Sequence, residues 1–309
     1  MGDHAIEPQG PFSLAAARDF AGGFAAGIGG GAATATSLVM AFPVEPRPAT
    51  ADAWGQSAIV ELRQGERDGP VHARVATAGD EAAALVQAAR CVSLDHDGTG
   101  WPEVGRRDPV IGELQTRFED LRPVCFYSAY EAATSFVIGQ RIARTQAARI
   151  KTRLAEQAGD ELELDGARFR AFPRPERLLE VDGVDGLADE KVRRLHGLAE
   201  AALDGRLDTN RLRSLAPTEA LAQLRELRGV GEFTAQGILL RGCGLADELP
   251  DDALSDEVLG AMYADDLSRG LTRDEIVARW KPYRMWATVL LRVGWGRGIG
   301  KGQSYRRGD

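Results

Sequence analysis

The sequence predicts an α+β fold, with an N-terminal small antiparallel β-sheet domain that includes a helix, followed by an all-α region. Three observations carry that expectation. Between residues 37 and 77, three stretches alternate apolar and polar residues, the period of a half-buried strand. From Asp108 onward the apolar period becomes that of an amphipathic helix and stays so. Late in the chain, "LRELRGVGEFTAQGILLRGCG" (224–244) sets Gly229 and Gly231 two apart between helical runs, a bend so short that hardly any side chain fits inside it.

The N-terminal elements follow in order. "PFSLAAARDFAGGF" reads as a short strand or helix. "GIGGGAATATS" (27–37) reads as a flexible loop. Its G-x-G-x-x-A match at Gly27, Gly29 and Ala32 lacks the preceding strand and the βαβ unit that a dinucleotide site needs. "SLVMAFPVE" (37–45), "SAIVELRQ" (57–64) and "PVHARVAT" (70–77) are the antiparallel strands. "DEAAALVQAARCVSL" (80–94) is a helix with Ala84, Leu85, Ala88 and Val92 on one face.

The helical region opens at "DPVIGELQTRF", where Asp108 caps and Pro109 takes the first helical position. "SAYEAATSFVIGQRIARTQAARIKTRLAEQ" (128–157) is a long amphipathic stretch, and shorter helices joined by Gly, Pro and Asp follow. The expected divisions are residues 1–107, 108–295, and a basic, Gly-rich flexible tail, 296–309.

Bulk chemistry narrows the function. The 309 residues are enough for more than one core, and 44% hydrophobic with 27% charged content is globular rather than disordered. Cys91, Cys125 and Cys243 are odd in number and dispersed, which fits a reducing compartment and neither a disulfide framework nor an iron–sulfur cluster. His4, His72, His96 and His196 stand apart from carboxylates or cysteines at metal spacing, so catalytic zinc is not expected. No apolar run approaches bilayer length, and "MGDHAIEPQGPFSL" carries no signal-peptide pattern, so no membrane and a cytoplasmic location are expected. The formal net charge of −8 repels phosphates overall. Any contact with nucleic acid must then be local, through main-chain N–H groups, helix N-termini and a few arginines.

The glycine bend supplies such a surface. Gly229 and Gly231 allow positive φ and remove Cβ atoms, so main-chain amides and the next helix N-terminus can face an anion directly. Val230 between them packs inward and locks the turn. The alternative is a Gly-rich corner with a packing role alone.

"LRGVGEFTAQ" (227–236) matches the helix–hairpin–helix signature, and its flanks extend the match. "RDPVIGELQTRFEDLRPV" (107–124), "YEAATSFVIGQRIARTQAARI" (130–150) with Gly139–Gln140, "FPRPERLLE" (172–180), "GLADEKVRRLHGLAEAALDGRLD" (186–208), "LPDDALSDEVL" (249–259) and "RWKPYRMWA" (279–287) occur in family order. On these, the chain resembles the helix–hairpin–helix DNA glycosylase superfamily, in the branch of bacterial 3-methyladenine DNA glycosylase II. The resemblance covers most of residues 11–295, and the N-terminal strands fit that branch's small β-rich domain.

The resemblance implies an enzyme that flips a damaged base out of duplex DNA and hydrolyses its N-glycosidic bond. Positive charge builds on the sugar, so one fixed carboxylate can stabilise it and orient or deprotonate water. Asp252 falls at the catalytic position, with Asp251 as its neighbour; the competing role is a helix cap. Gly229, Val230, Gly231 and Thr234 of the hairpin, with Gln140 and Arg141, fall at DNA-contacting positions. Arg141 lies where relatives insert a wedge into the duplex, the alternative being a solvated helix-end charge. Arg144, Arg149 and Arg284 are weaker phosphate candidates.

The pocket departs from the family pattern. Phe233 fits one stacking aromatic, but Gly237 and Arg292 replace two others, implying a wider pocket; Phe233 and Trp286 serve as pocket wall or core. Asp256 and Glu257 stand where relatives often carry a basic residue.

The expected activity is therefore a monofunctional glycosylase for alkylated purines, acting as a monomer on damaged double-stranded DNA in the bacterial cytoplasm at the nucleoid. No cofactor is required, and a monovalent cation can sit at the hairpin backbone. The alternatives are a non-catalytic DNA-damage or DNA-structure binder on this scaffold, and a glycosylase for deaminated or bulky lesions.

Overall fold

The computed structural model describes residues 2–23, 33–34, 37–46 and 54–299. The G-x-G-x-x-A match at 27–32 and the tail from 300 lie outside the described residues. No helix among those described is long and apolar enough to cross a membrane.

Five strands form one antiparallel sheet: β1 (Gly2–Ile6), β2 (Ala33–Thr34), β3 (Ser37–Pro43), β4 (Ser57–Gln64) and β5 (Val71–Thr77), in the order β1-β5-β4-β3-β2. The three central strands are those expected from the alternation. Both edge strands are additions. β1 is short, with the pairing of His4 opposite Ala73 set by β5 some seventy residues away, so no local pattern announces it. β2 is two residues long.

The alternation sends Leu38, Met40, Phe42, Val60, Leu62, Val71, Ala73 and Val75 into one core against two helices, Leu14–Gly23 and Glu81–Cys91. "PFSLAAARDFAGGF" thus resolves to a helix. Asp80 caps the second helix by accepting from the Ala83 N–H at 2.9 Å.

The sheet's other face is covered as well, which is why every residue of β3 is buried. Val39, Ala41 and Ile59 pack against Leu164 and Phe169. These belong to a hairpin, β6 (Glu161–Leu164) and β7 (Ala167–Arg170), inside the region expected to be all-α. Its turn is Asp165–Gly166 with φ of 51° and 80°, the left-handed pair that a two-residue hairpin requires. The chain is therefore an antiparallel sheet followed by a helical domain that carries one small hairpin.

A buried polar cluster joins the two parts. Glu45 accepts from Thr209 Oγ1 at 2.6 Å and pairs with Arg90, which also donates to the Tyr127 carbonyl at 2.9 Å. Asp108 is fully buried at the start of the helix Pro109–Arg117. Its carboxylate takes the Val110 and Ile111 N–H groups, the Tyr263 hydroxyl at 2.9 Å and the Trp280 indole at 3.0 Å.

The long stretch 128–157 is two helices, Ala129–Gly139 and Arg144–Ala158, broken at Gln140. One helical core surrounds Ala129–Gly139; a second surrounds the C-terminal helix Arg284–Gly296, whose buried face carries Met285, Val289 and Leu290. A cleft opens between these two cores.

Candidate active site

The hairpin joins Pro217–Arg225 to Glu232–Gly237. Gly229 has φ +88°, and a Cβ there would meet Arg194 Cδ at 2.8 Å, so both conformation and space demand glycine. Gly231 differs from expectation. Its φ is −90° with extended ψ, it caps the second helix, and nothing lies within 4 Å of a Cβ built there. The missing side chain at Gly231 therefore leaves an exposed helix start open, and relieves no strain. Val230 is buried and its N–H donates to Leu227 O at 3.0 Å, locking the turn as expected. Thr234, expected at the DNA face, is buried, so its side chain serves the interior. Glu232 in the first turn would repel an anion, but it is paired with Arg225 at 2.6 Å.

The helix break is fastened to the hairpin. Gln140 Nε2 donates to Gly229 O at 2.8 Å, while Arg194 donates to Gln140 Oε1 at 3.2 Å. Lys191 donates to the Ile138 and Gln140 carbonyls at 2.8 and 2.6 Å, capping the broken helix end. Burial, with Arg194 nearby, lowers that ammonium below its usual pKa. Arg141 follows, exposed and in the left-handed region at φ +58°. A non-glycine residue held there is strained and juts from the break.

Between the two helical cores lies a cavity of about 170 Å³. Asp252 is on its wall and caps the helix Ala253–Met262. Oδ1 accepts from Ser255 N at 3.0 Å and Oδ2 from Ser255 Oγ at 2.9 Å, and Arg292 forms an ion pair with Oδ2. The cap is therefore present, and it does not remove the carboxylate from the cavity: capping fixes the side chain, which is 10% exposed at the wall. Asp251 is exposed and does not line the cavity; its main-chain N–H donates to Gln236 Oε1 at 2.8 Å.

The aromatic lining is rearranged. Phe233 is 59% exposed on the wall and meets Phe136 edge-on, with centroids 6.0 Å apart. A Cβ at Gly237 would lie 2.3 Å from Phe136 Cζ. The expected widening at Gly237 is thus corrected: the Phe136 ring, backed by Phe126 at 5.7 Å, fills the space. Neither phenylalanine was anticipated, because both come from the segment around Ala129–Gly139, a hundred residues away in sequence. Trp286 does not line the cavity. It is 1% exposed, packed edge-on against Trp101 with Arg122 over its ring, so its role is core.

After Gly237 the helix continues as a π-helical turn, Ile238–Gly242, closed by Cys243 N–H to Ile238 O at 2.9 Å. Leu240 and Arg241 of this turn line the cavity. Burial lowers the Arg241 guanidinium pKa, and Arg292 presses it further down.

Of the remaining arginines, Arg144 and Arg149 are exposed beside the helix break. Arg284 is held by Asp247 at 2.8 Å. Asp256 pairs with Arg273 at 2.8 Å, so positive charge reaches the helix Ala253–Met262 from another element.

The chain has relatives of known activity in sequence and in fold. No protein-family model matches the chain. It is 28% identical over 206 residues to a DNA-3-methyladenine glycosylase of Bacillus subtilis, spanning 64% of this chain and 67% of that protein. It is 29% identical over 185 residues to DNA-3-methyladenine glycosylase 2 of Escherichia coli, 58% and 62% of the two chains. The fold superposes on the 3-methyladenine DNA-glycosylase of Archaeoglobus fulgidus with a TM-score of 0.72 at 19% identity, covering 94% of this chain and 98% of that one. In sequence the chain is similar to DNA glycosylases, and its fold is that of the helix–hairpin–helix glycosylases. Among these proteins the similarity is to bacterial 3-methyladenine DNA glycosylases.

Proposed function

We propose that this protein is a monofunctional DNA glycosylase that flips damaged purines, alkylated purines among them, from duplex DNA and hydrolyses their N-glycosidic bond. The observation that carries the proposal is Asp252, fixed by Ser255 on the wall of a cavity otherwise lined largely by aromatic and apolar side chains. The base stacks on the exposed Phe233 ring, Arg141 fills the gap left in the duplex, and the hairpin amides take a phosphate. Asp252 stabilises the oxocarbenium-like sugar and accepts a proton from the attacking water. No lysine lines the cavity among the described residues, which favours water as the nucleophile and an intact abasic product.

No cofactor enters this reading. Among the described residues no group of three or more His, Cys, Asp or Glu could hold a metal. A monovalent cation at the hairpin would rely on main-chain carbonyls alone; its role is support for phosphate binding. The enzyme works as a monomer, in a bacterial cytoplasm at the nucleoid.

A second reading, a glycosylase for deaminated or bulky lesions, is favoured by Arg292, a cation in a pocket that would otherwise suit cationic bases. The retained Asp252 weighs against a non-catalytic binder. A panel of duplexes, each with one modified base and scored for alkali-labile sites, tests the proposal; a protein that binds them all and releases no base would refute it.

A further inference from the structure

Three charged side chains line the cavity: Asp252, Arg241 and Arg292. Two guanidiniums against one carboxylate make the lining net positive. An N-alkylated purine carries a positive charge of its own and would enter against that field, in a site whose apolar walls strengthen it. An uncharged purine meets no such barrier. Its ring nitrogens and any carbonyl are acceptors, and the wall offers donors on Arg292 and Gln236.

Arg292 is poised for this role. Its Nη2 holds Asp252 Oδ2 and donates to Ser255 Oγ. Its Nε is buried with no hydrogen-bond partner among the described residues. A buried guanidinium N–H left unpartnered is costly and is satisfied when an acceptor arrives. The carboxylate that Arg292 touches is the one assigned to C1′ of the sugar. The guanidinium therefore lies beside the bond to be broken.

Resting on the glycosylase reading above, the geometry points to Arg292 as the residue that selects uncharged damaged purines, by donating to the departing base, over N-alkylated cations. The chemistry requires such a donor. A cationic base leaves neutral and needs little help. An uncharged base keeps the electron pair of the broken N9–C1′ bond and leaves as an anion. Arg292 stabilises that anion through charge-assisted hydrogen bonds without giving up a proton, since a guanidinium does not deprotonate. The water oxygen bonds to C1′, one water proton passes to Asp252, and that proton then neutralises the base. Water and nucleotide thus become free base and abasic sugar, with no further reactant.

The test compares single-turnover release of hypoxanthine, an uncharged deaminated purine, and of 7-methylguanine, a cationic one, by wild type, Arg292→Gln and Arg292→Leu. Thermal melting confirms that each variant is folded. The expected result is a fall of at least about tenfold in the hypoxanthine to 7-methylguanine rate ratio, larger for leucine than for glutamine, which keeps a donor. An unchanged ratio, with both rates falling together, overturns the selective role and leaves the glycosylase reading intact. Wild type that releases neither base overturns the glycosylase reading, and the inference with it.

Discussion

Gln140 donates its side-chain amide to the carbonyl of Gly229 at 2.8 Å, so the break after Ala129–Gly139 and the glycine hairpin form one rigid edge. Eighty-nine residues apart in sequence, they place Arg141 and the hairpin amides on the same side of the molecule. A wedge and a phosphate anchor must keep a fixed separation if extruding a nucleotide is to be coupled to holding the backbone.

Arg141→Ala should therefore lower excision from a fully paired duplex by about tenfold, and much less from a mismatched duplex or a single strand, where unstacking is cheap. Single-turnover rates on the three substrates decide it. Equal losses on all three would assign Arg141 to a phosphate instead.

Gly231 allows a cleaner test of the phosphate anchor than Gly229. Its backbone is extended and its surroundings open, so Gly231→Val should leave the fold intact apart from a weaker helix cap. Duplex affinity should fall on the order of tenfold, the loss of one hydrogen bond to a charged group. Gly229→Val adds strain at φ +88° and a collision with Arg194, and should lower the melting temperature as well. A folded Gly231→Val protein with unaltered affinity in a salt-matched titration would remove the hairpin from the DNA interface.

Glu45 is the hub between sheet and helices, buried together with its partner Arg90. Glu45→Ala leaves that guanidinium uncompensated and removes the acceptor for Thr209, at a cost of about 3–5 kcal/mol. Tm should drop by on the order of 10 °C. Glu45→Gln, which keeps an acceptor, should lose less. A scan showing no shift for alanine would mean that the two parts are joined by apolar packing alone.

The nucleophile can be identified by trapping. Phe233 occupies the hairpin position directly before Thr234 and Ala235, where a lysine would be needed for Schiff-base chemistry. Borohydride added during turnover should capture no protein–DNA adduct. An adduct formed efficiently, and lost on replacing one lysine, would make the enzyme a lyase.

Much of this was legible in the sequence where the physics is local. Alternation marked β3, β4 and β5, Asp108 marked a helix start, the cap weighed for Asp252 is present, and the Leu-x-Gly-Val-Gly run marked the hairpin. What stayed hidden depends on distant partners. β1 exists only because β5 offers an edge. The Phe136 ring over Gly237 and the Arg292–Asp252 pair arise where separate helices converge, which no spacing reports. The β6–β7 hairpin did carry a local signal, Asp165–Gly166 between "ELEL" and "ARFR", lost among strong helical patterns on either side.

The central claim is that the Asp252 carboxylate drives bond cleavage. Asp252→Asn preserves shape and can still accept from Ser255 while removing the charge, and Asp251→Asn serves as a neighbour outside the cavity. Single-turnover release of a damaged base, measured beside binding to the same duplex, separates chemistry from recognition. The account predicts that Asp252→Asn slows release by at least about 100-fold, a loss of roughly 3 kcal/mol of transition-state stabilisation. Binding should persist, and Asp251→Asn should stay near wild type. Near-normal release by Asp252→Asn, or a loss confined to Asp251→Asn, would contradict it.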